Sequence, residues 1–286
     1  MRASSTLAKR AAFGVLTVGV LVAANANAEG TTPHDFVAPV VFQAAGPTVG
    51  SIQGTVDAYR GALGQTNNAS NPGPLSSGHR EINWDGGSTN NQTTSISGNP
   101  FAGFQITRGA LFTTPNGTGF VQAPPVADPT TIPPGGLAGL FNNATYATIF
   151  KAFSLRRLFS AIDSNVTDVD FFVPGGGAAA TVSGFGAVFT DVDQPDGSGP
   201  GEKQGNREAS TLIEYFGTDG SLLFSSFVPA SPGDGSVSFL GIVFKDARIA
   251  RVRITSGNVA PGPDDDGKLD VVMMDDFLYG EPHPAP

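Results

Sequence analysis

The stretch Val166-Thr167-Asp168-Val169-Asp170-Phe171-Phe172-Val173 decides the fold class. Val169, Phe171 and Val173 alternate with Asp168, Asp170 and Phe172, a period of two that buries one face and leaves the other mostly wet. The same period recurs nearby. Phe185, Ala187 and Phe189 share a face, which Asp191 and Asp193 should continue past the strand end, and Ala250, Val252 and Ile254 alternate with Arg251 and Arg253. Further strands are predicted over residues 105–112, 150–159, 212–216, 222–228, 237–244 and 271–279. Turns such as Thr218-Asp219-Gly220 and Pro232-Gly233-Asp234-Gly235 separate some of them. About ten strands without alternating helices predict an all-β fold, a two-sheet β-sandwich resembling a jelly roll. No repeat of fixed period points to a propeller or β-helix.

One amphipathic helix is expected, N-terminal to the strands. Val49, Ile52, Val56, Tyr59 and Leu63 fall on one stripe, with Thr48 placed to cap its start and Gly64 its end. The stripe carries too few basic residues for a membrane surface, so it reads as a face docked on the domain. A polar linker follows over 65–78. The expected organisation is a leader at 1–28, a helix and linker packing on the domain at 29–78, a β-sandwich at 79–282 and a tail at 283–286.

The leader has the parts of a secretory signal. Arg2, Lys9 and Arg10 make a positive start, residues 11–24 form an apolar run, and Ala26-Asn27-Ala28 supplies a small-x-small cleavage site before Glu29. The run falls short of the ~20 residues that span a bilayer, so no stable membrane insertion is expected after cleavage. The product should be secreted or periplasmic. The full chain has 16 basic and 25 acidic residues; losing the three basic residues of the leader leaves 13 against 25, a net charge of −12. Such a surface repels nucleic acid and anionic lipid. There is no cysteine. Export would permit disulfides, so any cross-linking falls to carboxylate-bound metal ions, calcium first.

Residues able to do chemistry are few. Of His34, His79 and His283, only His79 lies away from the expected termini, which disfavours a multi-histidine zinc site. No Gly-x-Ser-x-Gly elbow occurs. Residues 262–268 match phosphate-loop spacing, but Leu269 replaces the required Ser or Thr and three carboxylates inside the loop would repel phosphate. Asp191, Asp193, Asp196 and Glu202 lie in a Gly- and Pro-rich loop that departs from the helix–loop–helix calcium motif; it is either a solvated acidic loop or a calcium site of another arrangement. In 271–279 both parities are apolar, as in a strand covered on both faces. Adjacent Asp275 and Asp276 should then point to opposite faces, with at least one inward. A buried carboxylate needs hydrogen bonds, an arginine such as Arg156, Arg251 or Arg253, or a calcium ion. Both the arginine and the calcium readings stay open at this point.

Four stretches carry a resemblance: Glu81-Ile82-Asn83-Trp84-Asp85-Gly86, Arg108-Gly109-Ala110-Leu111-Phe112-Thr113-Thr114-Pro115, residues 184–193, and Met274-Asp275-Asp276-Phe277-Leu278-Tyr279-Gly280-Glu281-Pro282. Over most of its mature length the chain resembles uncharacterised exported bacterial proteins, some of whose relatives carry PEP-CTERM sorting tails. That family implies no activity and no catalytic residue. After Glu281-Pro282 there is no hydrophobic helix or basic end, so anchoring by such a tail is not expected. The end strands are also loosely similar to those of jelly-roll carbohydrate-binding modules, which implies a structural calcium held by Glu81 with Asp275 or Asp276.

The leading functional expectation is a non-enzymatic exported binding or surface-associated module, with glycans or cell-surface polymers as partners and Trp84, Tyr146 or Tyr215 as stacking platforms. The alternatives are a glycoside hydrolase using paired carboxylates about 5–9.5 Å apart and a structural protein of the envelope or matrix.

Overall fold

A computed structural model describes residues 38–86, 93–126, 135–193, 211–263 and 269–286. The leader, His34, Asp196 and Glu202 lie outside the described residues.

Strand β1 (Val40–Gly46) leads into helix α1 (Val49–Leu63). Then come β2 (His79–Ile82), β3 (Ser95–Gly98), the single turn α2 (Gln105–Arg108), β4 (Ala110–Thr113) and β5 (Gly119–Ala123). Two more short turns, α3 (Leu137–Leu140) and α4 (Tyr146–Ile149), precede β6 (Leu158–Ile162), β7 (Val166–Phe171), β8 (Ala180–Thr181) and β9 (Gly184–Thr190). The chain continues through β10 (Leu212–Phe216), β11 (Leu222–Phe227), β12 (Val237–Val243), β13 (Arg251–Thr255), β14 (Met273–Gly280) and β15 (His283–Pro284).

Apart from β8 and β15, which pair with each other, the strands form two antiparallel sheets packed as a sandwich. The larger runs β1-β12-β9-β14-β6-β5-β3, with β2 pairing the other half of the β14 edge that β6 pairs. The smaller runs β11-β10-β13-β7-β4. Alternation explains the contact between them. Val169 and Phe171 from β7 meet Phe185, Ala187 and Phe189 from β9 and Phe277 and Tyr279 from β14 in one apolar core. At about 25 cal/mol per Å² of buried apolar surface, this core supplies most of the drive to fold.

The larger sheet is covered on its second face too, which is why every residue of β14 is buried. Ile52, Val56, Tyr59 and Leu63 of α1 lie on Val188, Val237, Phe239 and Leu278. Beyond them, Leu137, Tyr146, Ile149 and Phe150 cover Val121, Ala123, Leu158 and Met273. A glycine pair sets how closely α1 approaches. Gly186 and Gly241 face each other across β9 and β12, and a Cβ on Gly241 would lie 2.8 Å from the Tyr59 ring. The Tyr59 hydroxyl donates to the Ile242 carbonyl at 3.1 Å. No helix among the described residues is long and apolar enough to cross a membrane.

Several local expectations need correction. Residues 105–112 split into α2 and β4 because Gly109 takes φ +77°, where a Cβ would strike the Phe172 carbonyl oxygen at 2.2 Å. Only Leu158 onward of 150–159 is strand; the amides before it serve carboxylates, as described below. Asp191 turns to φ +69°, so Val192 enters the core where Asp191 and Asp193 were expected to continue the buried face. Thr48 stands at the start of α1, but its hydroxyl bonds Ser51 Oγ at 3.0 Å rather than a backbone amide. The 65–78 segment is fastened at Asn68, whose amide donates to Glu281 Oε2 at 2.8 Å.

Candidate functional site

Of the residues singled out by sequence, Glu81, Asp275 and Asp276 come together, and a β-bulge is the reason. Met274 and Phe277 both enter the inter-sheet core although three residues apart, and the pairing of β14 with β9 shifts register between them. The two residues of the bulge are therefore carried together to the helix-covered face. The expectation that adjacent aspartates face opposite ways fails here. Asp275 and Asp276 lie within interacting distance of each other, 1 % and 3 % exposed.

Asp275 is held by backbone. Its Oδ2 accepts from the Phe153 amide at 2.6 Å and the Ser154 amide at 3.3 Å, and its Oδ1 from the Ser154 hydroxyl at 3.3 Å. Asp85 does the same one step along the loop, its Oδ1 accepting from the amides of Arg156 and Arg157 at 3.1 and 3.0 Å. The Ser154 hydroxyl lies 3.3 Å from Asp85 Oδ2 as well, between the two acids. Burial pushes the Asp275 carboxyl well above the usual carboxylate range, and the neighbouring Asp276 pushes it further. Asp276 is also raised by burial. The pair is thus suited to sharing a proton, as two carboxyls forced together must.

The cation of this site is Arg60. Glu81 lies across from Leu278 in the β2–β14 ladder, so it shares the face on which α1 docks. Arg60 Nε and Nη2 donate to Glu81 Oε1 and Oε2 at 2.8 and 3.1 Å, and Nη2 lies 3.7 Å from Asp276 Oδ2. His79 Nε2 adds a contact of 2.7 Å to Glu81 Oε1, while its Nδ1 bonds the Gly64 carbonyl that ends α1. Burial works against ionising Glu81, but the hydrogen bonds and charges of His79 and Arg60 outweigh it and hold the carboxyl at about 2. At Glu81, where a calcium ion was expected, both carboxylate oxygens accept from the Arg60 guanidinium. Among the described residues, no group of three or more His, Asp or Glu is set for a metal ion.

The other expected residues are elsewhere. Asp193 belongs to a different loop, where its Oδ1 accepts from the Gly233 amide at 3.0 Å and its amide approaches Asp270 Oδ1 at 3.4 Å; Asp191 precedes it. Arg253 pairs with Asp168 at 2.7 Å, and Arg251 lies over the Phe216 ring. Trp84, expected to stack on a ligand, is 0 % exposed. It stacks on Phe159 with centroids 3.7 Å apart and donates Nε1–H to the Asp275 carbonyl at 2.8 Å. Tyr146 and Tyr215 are likewise buried.

Sequence reasoning missed Arg60, Asp85 and Ser154. A charged residue beside the apolar stripe of a docking helix was the available signal for Arg60. Asp85 sat inside the Glu81-Ile82-Asn83-Trp84-Asp85-Gly86 stretch. Nothing in the sequence marks Ser154, whose place depends on a loop folding back over β14. No protein-family model, no curated protein and no solved structure matches the chain.

Proposed function

We propose that the chain is an exported, non-catalytic β-sandwich that acts at the cell surface through protein contacts, as a structural or adhesive component of the envelope or matrix. One observation carries this reading: the aromatic rings able to stack on a sugar, and the most strongly raised carboxyl among the described residues, are turned inward and engaged there. The single Trp and all four Tyr of the sequence are fully buried. A sugar-stacking platform needs such a ring at the surface. Asp275, the carboxyl pushed up furthest among the described residues, is shut beneath the 152–157 loop and bound by its amides. A glycosidase would need such an acid open to substrate between two accessible carboxyls. The secretory leader and the acidic mature surface support export in soluble form.

The test combines three measurements on the mature protein. Glycan arrays and a panel of chromogenic glycosides should give no signal, and the protein should co-sediment with isolated envelopes of the producing cell. Hydrolysis abolished by Asp275→Asn would overturn the reading in favour of an enzyme. Saturable glycan binding without envelope association would overturn it in favour of a lectin-like module.

A further inference from the structure

Among the described residues the edge strands are β1, β2 and β3 of the larger sheet and β4 and β11 of the smaller, and β1 alone is undefended. β2, β3 and β4 have four residues each. β11 is bulged against β10 at Tyr215 and Phe216. Short and bulged edges are the usual protection against pairing with another chain. β1 has neither protection. It runs seven residues in unbroken register against β12, from Val40 opposite Val243 to Gly46 opposite Val237. Among the described residues no strand pairs its second edge, so alternate backbone N–H and C=O groups there point outward. No charged residue occurs from Ala38 to Val56, in a mature chain of net charge −12. Val40 is 60 % exposed and Gln43 faces solvent.

We infer that β1 pairs antiparallel with β1 of a second copy of this chain, about a two-fold axis at Gln43, joining the two larger sheets into one. The residues are self-complementary in that register. Phe42 falls opposite Ala44 of the second copy, Val41 opposite Ala45, and Val40 opposite Gly46, so large side chains meet small ones throughout. Hydrogen bonding agrees as well. Each pair about Gln43 joins residues of like parity, so outward groups meet outward groups whichever set faces the edge. Pro39 and Pro47 stand symmetrically, four residues to either side of Gln43. Each lacks an N–H, so a slip in register would bring a proline into the ladder. Charge is compatible with identical copies, because a seam without charges lets two strongly acidic molecules approach closely.

The inference supplies a first partner for the surface-contact reading but rests on the edge alone, and its test needs no envelope. Sedimentation velocity of the mature protein should show a monomer–dimer equilibrium. Gln43→Lys and Gln43→Glu each place like charges opposite one another at the axis. Each should weaken dimerisation by roughly tenfold or more, with an unchanged melting midpoint at concentrations where the wild type is monomeric, because the side chain is exposed. Mixing the two variants should restore a dimer, now heterotypic. A wild type that stays monomeric at every concentration overturns the inference. So does a dimer indifferent to both substitutions, or a mixture that does not reassociate.

Discussion

Arg80 and Glu281 form a bidentate ion pair with both side chains buried, Nε to Oε2 at 2.8 Å and Nη2 to Oε1 at 2.7 Å. Arg80 Nη1 also donates to the Ala69 carbonyl at 2.9 Å, and Glu281 accepts from Asn68 Nδ2 and the Leu75 amide. The pair thereby fastens the 65–78 segment to β2 and to the end of β14. Removing one partner strands the other charge in the interior. Arg80→Ala is expected to cost about 3–5 kcal/mol in denaturant unfolding. A loss below about 1 kcal/mol would mean that water reaches Glu281.

Stability in acid should report on Glu81. Its carboxyl is held at about 2 in the folded state, below its ordinary 4.5. A lowered value means the contribution is complete above pH 4.5 and is lost as pH falls toward 2. Urea titrations should show a steep loss across that window, about 2 kcal/mol of it absent in Glu81→Gln after allowance for solvent screening. An unchanged acid slope in Glu81→Gln would contradict the assignment.

Asp275 has the opposite sign. Its raised carboxyl stays protonated in the fold while the unfolded chain ionises near 3.8. Its contribution is therefore complete below pH 3.8 and is lost as pH rises toward the folded value. Asparagine would keep an oxygen for the Phe153 and Ser154 amides and offer an N–H to Asp276. Asp275→Asn should accordingly melt higher than wild type at pH 8 and no higher at pH 4. A lower midpoint at both values would show that the site needs a carboxylate there.

Arg60 is the cation between Glu81 and Asp276, and replacing it should change how the protein responds to calcium. Arg60→Ala is expected to lose about 1–3 kcal/mol, since the pair is partly exposed. The freed oxygens are hard ligands, so calcium should recover part of that loss. Melting curves with chelator and then calcium should show recovery in the variant that Glu81→Gln abolishes. A calcium response of the wild type lost on Glu81→Gln would show the ion competing with Arg60.

Much of the sandwich was legible in the sequence because alternation is local. Val169 with Phe171, and Phe185 with Phe189, each announce their face within a few residues. The stripe from Ile52 to Leu63 announced the docked helix in the same way. What failed depended on backbone that departs from its own period. The bulge at Asp275–Asp276, the positive φ at Asp191 and the left-handed Gly109 each reverse or stop an alternation, and no count of apolar residues reveals them. The site depended further on partners distant in sequence. Glu81 and Asp276 were visible as acids needing a cation, but that Arg60 supplies one depends on how α1 lies on the sheet. Trp84 looked available only because its neighbour Phe159 is 75 residues away in the chain.

β14 follows all the other strands of both sheets in chain order, yet it lies inside the larger sheet, with β9 on one side and β2 and β6 on the other. The halves it separates cannot close on each other until it arrives. A chain built in this order has no finished larger sheet while its earlier strands are made. The strand with the two aspartates is thus the latch that closes the larger sheet, and a chain stopped short of residue 273 should remain pliable and open to proteases.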